Sequence, residues 1–268
     1  MKKILINLPW TRGLLYFVIM GAAMQVAGLV PLLNDFWFFF VISIACSGAL
    51  LRLEGRSPGA VHLLPRNRRH WSQWAWGTVA GIGLLLVTAV ITLFLTGDNW
   101  RVNYALDPVY IGVVFLSCLW SSVVQEFVFR GYPFQMMLDH YGVWKAQLFV
   151  AIPFALMHVQ AGMAFPAILT TALTTGLGSV LFGMACARTR HLALPIGLHA
   201  GWNFAQALVP RAAGGNMAKT LLIVTGDTER YNFGSVVGPY ILVTLVAIGV
   251  IARLKKQNQR AGFIEREA

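Results

Sequence analysis

The chain alternates long apolar runs with short polar, mostly basic connectors. Apolar windows fall near residues 13–33, 36–51, 74–95, 109–128, 146–158, 165–186, 192–209 and 235–252. About 20 such residues cross a bilayer core as a helix. The pattern therefore predicts an all-α fold, a polytopic membrane helical bundle of about eight transmembrane helices, with seven and nine as the neighbouring counts. The fifth window is short, bounded by Lys145 and His158. It reads as a tilted, deeply placed or interrupted segment.

Composition agrees with lipid as the main solvent: 57% of the 268 residues are hydrophobic and 12% charged, against about 25% charged in soluble domains. The net charge of +11 would fit a nucleic-acid partner, but its placement argues against one. With the N-terminus cytoplasmic, 17 of the 21 Lys and Arg residues fall on the cytoplasmic side, from Lys2, Lys3 and Arg12 to Lys256, Arg260 and Arg266. Arg101, Arg211, Lys219 and Arg230 remain outside. That bias predicts an even number of spans with both termini cytoplasmic. The first run, followed at once by a second, reads as a retained span rather than a cleaved signal. Cys46, Cys118 and Cys186 have no metal-binding spacing and read as small buried side chains. The basic loop at 52–71 reads as a connector whose arginines set orientation, with anionic-lipid binding as a second use. The loop near 210–234, carrying Gly214, Gly215, Asp227 and Glu229, is expected to be a mobile outer cap.

Three polar constellations interrupt the apolar background. Gln125, Glu126 and Arg130 lie in LWSSVVQEFVFRGY, where Glu126 and Arg130 share a helix face. Phe154 precedes His158 by four residues in IPFALMHVQ, and His199 precedes Asn203 by four in LPIGLHAGWNF. Each has a bland alternative: a structural ion pair, an interface histidine, an interhelical asparagine. Together they supply a carboxylate, two imidazoles and a carboxamide, a set sufficient for hydrolysis in a shielded cavity. In the expected chemistry Glu126 and His158 hold and deprotonate a water. His199 and Asn203 direct donors at the developing oxyanion, and Arg130 orients the carboxylate or binds a substrate carboxylate.

A zinc set of Glu126, His158 and His199 is the runner-up, with a metal-free site preferred because an HExxH pair is absent. No GxSxG elbow, intramembrane aspartyl pair or Gly-rich phosphate loop is visible. A transporter would need the broken-helix Gly and Pro pairs that the sequence lacks.

At these motifs, QEFVFR at 125–130, FALMH at 154–158 and HAGWN at 199–203, the chain resembles the CAAX prenyl protease and bacteriocin-processing (CPBP, Abi) family of intramembrane peptidases. The family carries Glu-Glu-x-x-x-Arg, Phe-x-x-x-His and His-x-x-x-Asn in this order. The resemblance covers residues 108–209, flanked by N-terminal helices and a basic loop at 1–107 and by an outer loop, a last helix and a basic tail at 210–268. It implies an integral protein of the cell membrane that cuts a peptide bond in a membrane-associated, in some members prenylated, protein or peptide, without a cofactor. Its partners would be lipids and that substrate, with no nucleic acid. His158 would match the water-activating histidine, His199 and Asn203 the oxyanion pair, and Arg130 the motif arginine. Gln125 departs from the pattern, standing where the family has its first Glu; an amide is no base. Glu126 sits one residue on, about 100° around the helix, and would reach the same cavity only after a local rotation. A catalytically silent relative that captures substrate or acts as a scaffold is the alternative this departure raises.

Overall fold

The computed structural model describes residues 8–213 and 217–255; Lys2, Lys3, Gly214, Gly215, Lys256, Arg260 and Arg266 lie outside them. Each of the eight apolar windows is a helix. In chain order these are α1 (Pro9–Leu29), α2 (Phe36–Leu53), α3 (Arg68–Thr96), α4 (Pro108–Arg130), α6 (Val143–Leu156), α7 (Phe165–Thr189), α8 (Ala193–Leu208) and α9 (Gly238–Ala252). A further helix, α5 (Tyr132–Tyr141), follows α4 across Gly131. Six spans are long and apolar enough to cross a membrane. They comprise α1, α2, α3, α4 with α5, α7, and the π-turn Phe233–Val237 with α9. With Phe94, Val109, Leu148 and Leu156 turned outward, this is an integral membrane protein.

The other two helices, α6 with 14 residues and α8 with 16, are too short to cross alone. At about 1.5 Å per residue, α6 rises only about 21 Å and stops inside a core of about 30 Å. His158 lies in the turn beyond its end. Sequence spacing alone had left it near the outer surface, far from Glu126.

Polar residues at the span boundaries are largely used as caps. Asp35 accepts from Trp37 N–H at 2.8 Å, Asn67 from His70 N–H at 3.0 Å and Asp107 from Val109 N–H at 2.8 Å. Each satisfies an N–H that the helix leaves free.

The closest helix contact is between α3 and α8, which run parallel. Gly77 lies against Leu194 and Gly197, and Gly81 against Leu198 and Trp202. From the other side Gly197 meets Trp74 and Gly201 meets Thr78. Both helices thus contribute a G-x-x-x-G pair, whose missing side chains let the backbones touch.

On the outer side, β1 (Asn99–Val102) pairs antiparallel with β2 (Leu222–Thr225). Asn103 Nδ2 donates to the Ala218 and Thr220 carbonyls, and Tyr231 donates to Asp98 at 2.7 Å. The expectation of a mobile cap at 210–234 is corrected here: its described part is fastened by a strand pair and side-chain bonds.

On the inner side, Arg12 pairs with Glu54 at 3.1 Å, Arg56 bridges Glu54 and Asp139 at 3.4 Å each, and Arg190 meets Asp139 at 2.6 Å. Tyr132 also donates to Glu54. These bonds join α1, α2, α5 and the end of α7. The arginines Arg12, Arg56 and Arg190 are therefore structural ties as well as topology signals.

Candidate active site

Gln125, Phe154, His158, His199 and Asn203 line one cavity of about 280 Å³, whose wall also includes side chains of α7 and α9. All three motifs of the sequence converge on it. A larger groove of about 570 Å³ between α3 and α9 is lined almost wholly by apolar side chains and offers no chemistry.

On α8, His199, Asn203 and Gln206 recur at the spacing of one face and all reach the cavity. His199 is buried and stacked on Phe182, with ring centroids 4.5 Å apart. Its Nδ1 lies 2.8 Å from Glu126 Oε1. The close approach of α3 to Gly197 and Gly201 fixes the turn of α8 that bears it.

Phe154 lies in the last turn of α6 and His158 just beyond its end. His158 Nδ1 is 2.7 Å from the Phe154 carbonyl oxygen, four residues back. Since a carbonyl only accepts, Nδ1 carries the proton and Nε2 is left bare in the neutral ring.

On α4, two adjacent residues face different ways. Gln125 is on the cavity wall, and its Oε1 is buried without a hydrogen-bond partner. Glu126 is fully buried and is not on the wall. Its Oε1 serves His199 and, at 3.4 Å, Arg130. The helix is regular from Pro108 to Arg130, so no bulge rotates the face. This corrects the expectation that Glu126 and His158 face one cavity: Gln125 is on the wall and Glu126 is not.

Arg130 is also fully buried. It donates to the Ser179 carbonyl at 2.9 Å and to Ser179 Oγ at 2.6 Å, and lies 4.5 Å from the centre of the Phe154 ring. It pairs with the Glu126 carboxylate and is absent from the cavity wall.

The zinc alternative fits poorly. Among the described residues no group of three or more His, Cys, Asp or Glu is placed to hold a metal ion. Glu126 is engaged behind His199.

Sequence reasoning missed several wall residues: Thr174, Thr175, Gln206, Arg211, Tyr240 and Thr244. Gln206 was legible as the next residue on the His199–Asn203 face. Tyr240 and Thr244 lie on the last helix, far along the chain, with no local signal. Tyr240 is fixed by donating to the Thr174 carbonyl at 2.6 Å.

Residues 107–205 match the family model described as Type II CAAX prenyl endopeptidase Rce1-like. No curated protein matches the chain. The matched stretch holds all three motifs and five of the side chains that meet at the cavity, Gln125, Phe154, His158, His199 and Asn203. Through this core the chain is similar to the type II CAAX prenyl endopeptidases that the family model describes.

Proposed function

We propose that the cavity hydrolyses a peptide bond in a membrane-associated peptide or protein, with His158 as the base. The observation that carries this reading is the Phe154 carbonyl on His158 Nδ1, which leaves Nε2 free to take a proton from water. Gln125 Oε1, buried with no hydrogen-bond partner, accepts the second proton of that water as a hydrogen bond and aims the oxygen. Attack on the carbonyl carbon drives negative charge onto its oxygen, where Asn203 and His199 donate. The Glu126 carboxylate behind Nδ1 offsets the charge of a protonated His199 ring, as a buried carboxylate does for other catalytic imidazoles. Arg130 and Ser179 hold Glu126 in place. His158 then passes its proton to the leaving amine as the C–N bond breaks.

Gln125 supports a second reading. With an amide in place of a carboxylate on the wall, the site retains capture of the same substrate without turnover. The two readings part on one assay. The full chain in nanodiscs is incubated with a panel of prenylated and unmodified membrane peptides, with and without chelator, and products are followed by mass spectrometry beside Gln125→Glu. Cleavage by the natural chain, unchanged by chelator, supports the peptidase. A silent natural chain beside an active Gln125→Glu variant supports capture only.

A further inference from the structure

The expected chemistry reserved an arginine for a carboxylate on the substrate, and Arg130 is unable to serve. Arg211 is placed to do so. It follows α8 in the chain, beyond the stretch matched by the family, and lines the same cavity as His158, His199 and Asn203. It is the one Lys or Arg side chain on that wall. Its guanidinium carbon lies 5.8 Å from the centre of the Tyr240 ring. Among the described residues it makes no salt bridge and no hydrogen bond. The wall itself offers no carboxylate.

The contrast with other fully or partly buried arginines is informative. Arg12, Arg56, Arg130 and Arg190 each have a carboxylate within 4 Å. A partly buried cation on a partly apolar cavity wall is costly without a counter-charge. A planar guanidinium set on an aromatic face pairs with a carboxylate through two parallel hydrogen bonds. The aromatic support is itself built in: Tyr240 is bonded to Thr174 and packs edge-on to Trp202 at 5.3 Å. A cavity of about 280 Å³ is at the small end for ligand sites. It admits a short stretch of peptide, so an anchoring group lies close in sequence to the scissile bond.

We propose that Arg211, seated on Tyr240, is a specificity-determining residue that binds a carboxylate of the peptide substrate. The proposal rests on the peptide-hydrolase reading of this cavity. Its carboxylate has two sources, the chain terminus and an acidic side chain, and the test separates them. Three fluorescent palmitoyl-tripeptides serve as probes: a free acid, its C-terminal amide, and an amide with an internal Glu. Binding is measured to the full chain in nanodiscs of zwitterionic lipid, with hydrolysis followed separately.

At least one carboxylate-bearing probe is expected to bind about tenfold or more tightly than the neutral amide, the scale of a charge-assisted hydrogen-bond pair. Arg211→Gln removes that preference and leaves affinity for the neutral amide within about twofold. Arg211→Lys keeps the charge but loses the fork, and retains part of the preference; it also serves if the Gln variant fails to fold. Equal binding of charged and neutral probes, or a preference that survives in Arg211→Gln, overturns the proposal. So does a preference abolished by adding anionic lipid to the nanodisc, which assigns the arginine to lipid headgroups. A carboxylate preference without hydrolysis contradicts the peptidase and leaves the carboxylate site standing, whereas hydrolysis without the preference does the reverse.

Discussion

At the scale of single residues, the site is governed by which way two neighbours on α4 point. Gln125 meets the cavity and Glu126 meets His199, because successive helical residues diverge by about 100°. In the proposed mechanism the carboxylate therefore acts through an imidazole instead of on water. Glu126→Gln keeps a hydrogen-bond partner for Nδ1 but removes the charge. We expect a fall of about 10–100-fold in turnover with little change in KM, because the loss is felt where charge develops; steady-state kinetics on a cleaved peptide measures it. Arg130→Met removes the cation from a fully buried pair and strands Glu126. Such losses cost about 3–5 kcal/mol. Thermal unfolding in nanodiscs should show a large drop in Tm, partly restored when Glu126→Gln is added.

At the scale of elements, α8 is the component on which the site depends. It is one turn too short to span, so it owes its position to neighbours, above all to the glycine faces of α3. A Cβ at Gly81 or Gly201 would meet the backbone of the other helix, at Leu198 and Thr78 respectively. Gly201→Val is therefore expected to push the helices apart, cost more than the usual 1–3 kcal/mol of overpacking, and lower Tm and hydrolysis together. The harmless comparison is Gly83→Val, where the added group meets nothing within 4 Å.

Much of this level was legible in advance. All eight apolar windows are helices, and Phe154 with His158 and His199 with Asn203 reach the cavity as pairs at one-turn spacing, while the first motif reaches it through Gln125. What escaped has physical reasons. α5 is a 10-residue helix whose polar Gln135, Asp139 and His140 hide it from a hydropathy reading. The glycine pairs at 77–81 and 197–201 carried a readable packing signal that the polar motifs overshadowed. The contribution of α9 to the wall depends on tertiary packing, which no local pattern records. The side of Glu126 was legible from helix geometry, and the expected chemistry required a local rotation that the regular helix does not supply.

At the scale of the whole molecule, two ties hold the bundle around the site: the strand pair outside, and the ionic and histidine cluster inside. His191 shows how the inner tie depends on protonation. Its Nδ1 accepts from Ala193 N–H at 2.9 Å, at the start of α8, while Nε2 donates to the Leu64 carbonyl at 3.1 Å. Only the neutral ring does both. Burial pushes the imidazole down to about 4, reinforced by nearby His70, and by His62 and Arg66, and only partly opposed by the Leu64 bond. His62 is also lowered, by burial and then by Arg66 and Arg56. A folded-state value below the unfolded one means that the unfolded chain binds protons first as pH falls. The stabilisation is complete above about pH 6.5 and is lost towards pH 4. Tm in nanodiscs should fall across that window, and His191→Asn, which does not titrate, should flatten the fall. The most direct test of the whole account is single-turnover cleavage by His158→Ala, using a peptide cut by the natural chain, with binding of that peptide measured in parallel. The account expects binding to be kept and the chemical step slowed by about 10²–10⁴-fold, the scale of a lost general base. An unchanged rate in His158→Ala would contradict it and return the search for the base to Glu126 and His199.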